Sequence, residues 1–151
     1  MKFIAYQEQD FAHIAKHILQ TISDLCLGNT LNINNTYIDL EGNLGAGKTT
    51  LVRYILQELG FHGRVKSPTY NFLESYDIQG FHNYSNLQHF DLYRFTHEQM
   101  WLENGFDEYL NSNNLVFIEW SNLASNLLPK PIIKVQIIID ENDNRVITCN
   151  T

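Results

Sequence analysis

The residues with the clearest chemical meaning are residues 42–49, which spell GNLGAGKT and fit the spacing G-x-x-x-x-G-K-[ST] at every fixed position. This spacing is typical of a phosphate-binding loop, because glycine lets backbone N–H groups approach phosphate oxygens in conformations that other residues avoid. Lys48 would bring a positive charge to the β- and γ-phosphates, and Thr49 would offer a hydroxyl ligand to Mg²⁺. The predicted phosphate-binding residues are Gly42, Asn43, Leu44, Gly45, Ala46, Gly47, Lys48, Thr49 and Thr50.

The segments on either side of this loop match what the motif requires. Residues 36–40 are short, β-branched and aromatic, which predicts a strand. After the loop, apolar residues recur with helical spacing from Leu51 to Leu59, and Gly60 is placed to end the helix. The order of strand, loop and helix puts a helix N-terminus at the phosphates, which disfavours a mere glycine-rich turn.

Two carboxylates follow predicted strands further along the chain. Residues 115–118 are apolar and lead into Glu119, the pattern of a buried strand that delivers one acid beside a phosphate loop. The alternative is an acid that marks where the strand leaves the core for solvent. Asp91 lies towards the end of a predicted strand at 87–94, at the edge where an open α/β sheet places ligand chemistry.

Residues 67–69, Ser-Pro-Thr, form a rigid turn with two hydroxyl groups. In a doubly wound NTPase, such a loop follows the second strand and lies near the γ-phosphate. A turn that only joins two strands explains the composition equally well.

The rest of the chain alternates between strand and helix patterns, without a repeat or a linker, which predicts one α/β domain spanning residues 1–151. Residues 29–35 are predicted to form a polar turn and residues 77–86 a surface hairpin or loop. Further strands are predicted at 3–6, 72–76, 132–139 and 145–149, the last two as a hairpin, and further helices at 11–25, 96–103, 107–110 and 121–128.

Composition narrows the class of protein. A hydrophobic content of 44% and a charged content of 18% are ordinary for a soluble globular chain, and neither a transmembrane run nor a secretory segment is evident. Cys26 and Cys149 lack metal or redox spacing, which favours reduced thiols in a cytoplasmic protein. A formal charge of −7 argues against an extended nucleic-acid surface, so any role with RNA is expected to run through protein partners.

Four motifs stand in order along the chain: LEGNLGAGKTT at 40–50, SPTY at 67–70, HFDLYR at 89–94 and IEW at 118–120. Together they resemble the TsaE (YjeE) family, small bacterial P-loop ATPases required for the threonylcarbamoyladenosine modification of tRNA. The resemblance covers nearly the whole chain, from the helix before the loop to the terminal hairpin.

The resemblance implies a mostly parallel central sheet flanked by helices, with a C-terminal β-hairpin. It also implies weak intrinsic hydrolysis of ATP with Mg²⁺, and action on the complex of TsaD and TsaB. Together with the composition, this predicts that tRNA is reached only indirectly and that no membrane is involved. Thr49 and Glu119 would ligate Mg²⁺, and Asp91 would lie by the γ-phosphate or its water. Lys48, Asp91 and Glu119 are thus the predicted catalytic residues, and residues 67–69 would form a switch-like loop.

Two other functions fit the same loop. One is a small-molecule kinase, although the four arginines are scattered and no segment resembles an arginine-bearing lid. The other is a nucleotide-gated binding module in which hydrolysis is incidental.

Overall fold

The computed structural model describes residues 1–28 and 36–151, so the polar turn predicted at 29–35 lies outside the described residues. Within them, seven strands form one sheet in the order β1-β7-β6-β2-β5-β4-β3. The strands are β1 (Lys2–Ala5), β2 (Ile38–Glu41), β3 (Leu73–Phe81), β4 (Tyr84–Asp91), β5 (Asn114–Glu119), β6 (Ile133–Ile139) and β7 (Arg145–Asn150). The α-helices are α1 (Phe11–Leu27), α2 (Lys48–Glu58) and α3 (Met100–Glu103), and 3-10 helices lie at Glu8–Asp10, Phe106–Tyr109 and Ser121–Ala124.

The sheet is mixed, which corrects the expectation of a mostly parallel one. Its centre is parallel, because β2 pairs with β5 and β6, and β4 pairs with β5. Its flanks are antiparallel, because β3 and β4 form one hairpin, β6 and β7 form another, and β1 adds to β7. The predicted C-terminal hairpin is confirmed, and the predicted surface hairpin at 77–86 is the turn end of a longer β3–β4 ribbon.

Two apolar layers cover the sheet. On one face, α1 and α2 pack against each other and against the sheet, and the α2 residues buried there are Leu51, Val52, Ile55 and Leu56, as the helical spacing predicted. On the other face, Phe90 of β4 packs against Trp101 and Phe106 of the short helices in a separate aromatic cluster. Within the described ranges, no helix combines the length and the apolar character needed to cross a membrane.

The chain from α2 to β3 is irregular. Gly60 follows α2 with a φ of 83°, which suits its predicted role at the helix end. Between Gly60 and Leu73 the chain forms no further strand, so the Ser-Pro-Thr loop of residues 67–69 does not follow a second sheet strand, as a doubly wound fold would have it. The alternative, a turn that joins two strands, is excluded for the same reason.

Candidate functional site

The phosphate loop, residues 42–50, joins the end of β2 to the first turn of α2. Two of its glycines are required by geometry. A Cβ atom on Gly42, whose φ is 153°, would lie 2.7 Å from the carbonyl oxygen of Ile137 on β6. Gly47 has a φ of 115°, and a Cβ there would lie 3.0 Å from the Phe11 ring. The backbone can therefore follow this path at these positions only without a side chain, as the close approach of a phosphate-binding backbone requires.

Lys48 is the first residue of α2, and its side chain folds back over the loop. Its Nζ donates hydrogen bonds to the carbonyl oxygens of Gly42 at 2.6 Å and Asn43 at 3.0 Å. The same ammonium lies 5.1 Å from the centroid of the Trp120 ring and 3.9 Å from Oε2 of Glu119. Burial lowers the pKa of Lys48, and the charges of Glu119 and Asp91 oppose that shift. A cation is thus held at the mouth of the loop.

Glu119 ends β5 and meets the loop at Thr49. Thr49 Oγ1 donates a hydrogen bond to Oε1 of Glu119 at 3.3 Å. Only 4% of Glu119 is exposed, so the alternative that this acid marks the strand's exit into solvent is wrong. Two hard oxygen ligands, a hydroxyl and a carboxylate, therefore converge at the N-terminus of α2.

Asp91 ends β4 directly beside Glu119 in the sheet register. Its Oδ1 accepts a hydrogen bond from the backbone N–H of Tyr93 at 3.0 Å, and its Oδ2 accepts one from Thr69 Oγ1 at 3.3 Å. Burial raises the pKa of Asp91, and the hydrogen bond from Tyr93 opposes that rise. The carboxylate is oriented by its own strand end and by the Ser-Pro-Thr loop.

The Ser-Pro-Thr loop reaches the site through its hydroxyl groups. Ser67 Oγ and Thr69 Oγ1 are hydrogen-bonded at 2.8 Å, and Thr69 continues the chain of contacts to Asp91. Just beyond the loop, the guanidinium carbon of Arg94 lies 4.4 Å from the centroid of the exposed Tyr70 ring. The loop thus touches the candidate site, although the topology that the sequence suggested for it was different.

The structure adds two residues that the sequence did not single out for the site. His89 is fully buried, and its Nε2 lies 2.8 Å from Oε1 of Glu119. It precedes Asp91 by two residues on a strand, so strand alternation alone would have placed both side chains on one face. Trp120, the last residue of the IEW motif, has a φ of 59°, and its ring lies at a tilt to that of Tyr93, with ring centroids 5.0 Å apart. Its left-handed backbone turns the chain directly after Glu119.

Two cavities flank the phosphate loop. One, of about 260 Å³, opens between the loop and the N-terminal segment; its walls are Ala5, Tyr6, Gln7, Glu8, Phe11, Gly45, Gly47, Thr50 and Arg145. The other, of about 350 Å³, opens on the other side of the loop; its walls are Leu40, Glu41, Gly42, Asn43, Ala46, Trp120, Ser121, Asn122, Gln136, Ile137, Ile138 and Ile139.

The chemistry of these groups suits Mg²⁺ bound together with a phosphate ligand. No group of three or more His, Cys, Asp or Glu side chains able to hold a metal occurs in residues 1–28 or 36–151. Mg²⁺ rarely uses such a group, because it keeps several waters and takes one or two protein oxygens plus phosphate oxygens. The adjacent oxygens of Thr49 and Glu119 meet that requirement.

Comparisons with known proteins identify the family. A family model described as Threonylcarbamoyl adenosine biosynthesis protein TsaE matches residues 6–147. A Haemophilus influenzae protein named tRNA threonylcarbamoyladenosine biosynthesis protein TsaE is 45% identical over 98 residues, which cover 65% of this chain and 60% of the relative. A Rickettsia felis protein of the same name is 36% identical over 141 residues, which cover 92% of this chain and 74% of the relative.

A solved structure supports the fold. The crystal structure of Bacillus subtilis YdiB matches 99% of this chain and 83% of its own with a TM-score of 0.70, at 24% sequence identity. That likeness concerns the fold alone, whereas the family model covers the sequence from the N-terminal segment to β7. The chain therefore belongs to the TsaE family of threonylcarbamoyl adenosine biosynthesis proteins.

Proposed function

We propose that residues 1–151 act as one P-loop ATPase domain that binds ATP with Mg²⁺, hydrolyses it slowly, and supports the threonylcarbamoyladenosine modification of tRNA by acting on TsaD and TsaB. The observation that carries the ATP-binding part is the convergence of Lys48, Thr49 and Glu119 at the N-terminus of α2. Two free thiols, Cys26 and Cys149, support a cytoplasmic location.

The phosphate loop would hold the triphosphate through its backbone N–H groups and the N-terminus of the 11-residue helix α2. Lys48 is already positioned over the loop by two carbonyl oxygens, so little side-chain ordering remains when its ammonium meets the β- and γ-phosphates. The nucleoside would continue past Thr50 into the smaller cavity, where Phe11 and Tyr6 offer ring surfaces for a base.

The metal ligands would be Thr49 Oγ1 and a carboxylate oxygen of Glu119, as hard oxygen donors suit this ion. When bound there, Mg²⁺ supplies positive charge to the β- and γ-phosphate oxygens. Glu119 contributes by holding its carboxylate at the strand end beside Thr49. The Lys48 ammonium, which lies 3.9 Å from this carboxylate, would face the same phosphate oxygens.

Asp91 would orient the attacking water. Its Oδ1 is fixed by the Tyr93 N–H, and its Oδ2 is held by the longer bond from Thr69, so this second oxygen is the more available to a water. Positioning and fixed charge account for most of the catalysis of phosphoryl transfer, so a slow reaction requires no further group. A contact of a partner protein with residues 67–70 would act directly on the orientation of Asp91.

The kinase alternative needs cationic side chains that close over the phosphates. Arg53 instead pairs with Glu8 at 2.6 Å, and Arg94 lies against Tyr70. Arg145 lines the smaller cavity beside the phosphate loop, but its guanidinium pairs with Asp143 at 3.2 Å. These three pairings favour water over another acceptor. Incubation with γ-labelled ATP and candidate acceptors distinguishes the two: release of inorganic phosphate alone supports the ATPase.

The central experiment removes the Lys48 ammonium. We expect Lys48→Ala to lose ATP turnover and to fail to support tRNA modification when it is mixed with TsaD, TsaB and their substrates, measured by mass spectrometry of the tRNA nucleosides. The control is Lys16→Ala. The Lys16 side chain is exposed, and its ammonium pairs with the Glu58 carboxylate at 3.9 Å instead of contacting the phosphate loop. A Lys48→Ala protein that hydrolyses ATP at the wild-type rate would contradict the proposal.

The gating alternative is tested by Glu119→Gln, which keeps the size of the side chain and removes its charge. If this variant binds ATP, fails to hydrolyse it and still supports tRNA modification, ATP binding alone is the required step. If modification is lost together with hydrolysis, turnover is required.

A further inference from the structure

We propose that His89 is a positioning residue that holds the Glu119 carboxylate in place by donating a hydrogen bond from Nε2, and thereby sets the affinity for Mg²⁺. This inference rests on the proposed function, because it assigns His89 a role through the carboxylate that would ligate the metal.

The His89 contact is the shortest of the three that Glu119 makes near the loop. The distance from Nε2 to Oε1 is 2.8 Å, against 3.3 Å from Thr49 Oγ1 and 3.9 Å from Lys48 Nζ to Oε2. The imidazole is fully buried, and Glu119 is 4% exposed, so water does not compete for this bond. A hydrogen bond from a ring nitrogen to an ionised carboxylate is among the stronger kinds in proteins.

The sheet register explains why this side chain reaches Glu119. His89 lies opposite Phe117 and Asp91 lies opposite Glu119 on the neighbouring parallel strand. His89 and Asp91 are two residues apart on β4, so their side chains leave the same face. The imidazole therefore reaches Glu119 diagonally from within the sheet, whereas Thr49 and Lys48 reach it from α2.

The hydrogen of the ring belongs on Nε2. An ionised carboxylate can only accept hydrogen bonds, so its partner must donate. Nδ1 of His89 is buried and has no hydrogen-bond partner among residues 1–28 and 36–151. A buried N–H without an acceptor is rarer than an acceptor without a donor, which favours a bare Nδ1. Among the described residues, the hydrogen bond to Oε1 of Glu119 is thus the single hydrogen bond of the ring.

A carboxylate fixed in this way loses little freedom when a metal binds. Without the imidazole, the Glu119 carboxylate would keep only the two longer contacts among residues 1–28 and 36–151, and both come from residues that would also contact the ligand. Residues that orient a metal ligand through hydrogen bonds typically change metal affinity by about 10–100-fold when they are replaced. We therefore expect an effect on the Mg²⁺ requirement rather than on ATP binding in general.

The test measures Mg²⁺ dependence by the binding of a fluorescent ATP analogue, and so does not rely on turnover. His89→Met removes the donor and keeps much of the volume; we expect it to raise the Mg²⁺ concentration needed for half-maximal binding by about 10–100-fold. His89→Gln places an amide N–H near the position of Nε2, whereas His89→Asn places it near Nδ1. We expect His89→Gln to stay near the wild-type requirement and His89→Asn to resemble His89→Met.

The Gln and Asn variants keep the test valid if His89→Met does not fold, because both side chains are polar and differ mainly in reach. A matched control is Gln88→Met. Gln88 is buried on the opposite face of β4 and contacts Ser75 and Asn114, so its loss should lower stability without changing the Mg²⁺ requirement.

A double-mutant comparison isolates the path through Glu119. In a Glu119→Ala background, adding His89→Met should cause no further rise in the Mg²⁺ requirement. The proposal is overturned if wild type requires Mg²⁺ and His89→Met, or His89→Asn, requires no more of it, or if Gln88→Met raises the requirement as much. Failure of the proposed function looks different, because wild type itself would then bind the analogue without any dependence on Mg²⁺ or not bind it.

Discussion

Asp91 lies opposite Glu119 in the register of the parallel strands β4 and β5, and the two residues are 5% and 4% exposed. Although they are neighbours, they contact different parts of the molecule. Glu119 contacts Thr49 of α2, whereas Asp91 contacts Thr69 of the Ser-Pro-Thr loop. This division separates a carboxylate suited to the metal from one suited to the water.

Mg²⁺ titrations of two variants should therefore distinguish the two acids. We expect Asp91→Asn and Glu119→Ala each to raise the barrier to ATP hydrolysis by about 2–4 kcal/mol, the scale of losing one preorganised electrostatic partner. Only Glu119→Ala should also raise the Mg²⁺ concentration required for half-maximal rate, since it removes the proposed metal ligand. A raised requirement in Asp91→Asn alone would reverse the assignment.

Thr69 offers a milder test of the loop. Thr69→Val keeps the shape of the side chain and removes the hydrogen bond to Asp91, so we expect the barrier to hydrolysis to rise by about 0.5–1.5 kcal/mol, the usual value of one hydrogen bond. Affinity for the nucleotide should not change. The control is Thr69→Ser, which keeps the hydroxyl; steady-state rates and the binding of a fluorescent ATP analogue measure both effects. Equal rates in Thr69→Val and wild type would remove the loop from catalysis.

A comparison of Gly42 in the phosphate loop with Gly60 after α2 tests whether the backbone of the loop needs a residue without a side chain. Both have positive φ, but a Cβ at Gly42 would meet the Ile137 carbonyl oxygen at 2.7 Å, whereas one at Gly60 has no atom within 4 Å among those described. We expect Gly60→Ala to lower the free energy of unfolding by about 1–2 kcal/mol, the penalty of a left-handed residue. Gly42→Ala should lower it further and also weaken nucleotide binding. Urea denaturation and analogue binding check this; similar losses in both variants would contradict it.

Asp39 predicts a pH dependence of stability. This residue is 4% exposed on β2 and accepts a hydrogen bond from Ser121 Oγ at 2.7 Å. Burial raises the pKa of Asp39 above its ordinary value of 3.8. Above pH 3.8, Asp39 therefore holds its proton more often in the folded state than in the unfolded state. The contribution of Asp39 to the free energy of unfolding falls as the pH rises through the raised pKa. Asp39→Asn lacks this fall, and should gain stability relative to wild type as the pH rises above 3.8.

The control for this prediction has the opposite sign. Asp140 accepts hydrogen bonds from Asn144 in the β6–β7 turn, and these lower the pKa of Asp140. Its contribution to stability is present above the ordinary value and is lost as pH falls through the lowered pKa. Asp140→Asn should thus lose stability relative to wild type as pH rises. Urea denaturation of both variants across the range measures the two slopes, and parallel slopes would contradict the assignment.

Local sequence patterns were enough to predict the phosphate loop and the buried strand that ends at Glu119. The glycines, Lys48 and Thr49 lie in one continuous stretch, and the apolar run before Glu119 is a buried strand because it is flanked by strands on both sides. The mixture of parallel and antiparallel strands could not be predicted in this way, because β1 pairs antiparallel with β7, which lies more than 130 residues later in the sequence. Pairing between distant segments leaves no mark in either segment alone.

The predictions for His89, Trp120 and Thr69 were incomplete for different reasons. His89 could have been found from strand alternation, since it shares a face with Asp91. Trp120 could not, because a left-handed φ of 59° is uncommon for a residue other than glycine, and no glycine marks the position. The role of Thr69 was open because a Ser-Pro-Thr turn has the same composition whether or not it contacts a carboxylate.

The position of β2 also determines when the site can form. This strand carries the phosphate loop, yet its hydrogen-bonded neighbours are β5 and β6: Ile38 lies opposite Phe117 on one side and opposite Ile133 on the other. The chain must therefore be synthesised as far as β6 before β2 has a partner on both sides, and contacts of such long sequence separation form slowly. The loop motif is synthesised well before β5 and β6, but the strand that carries it is paired on both sides only after β6 has been made.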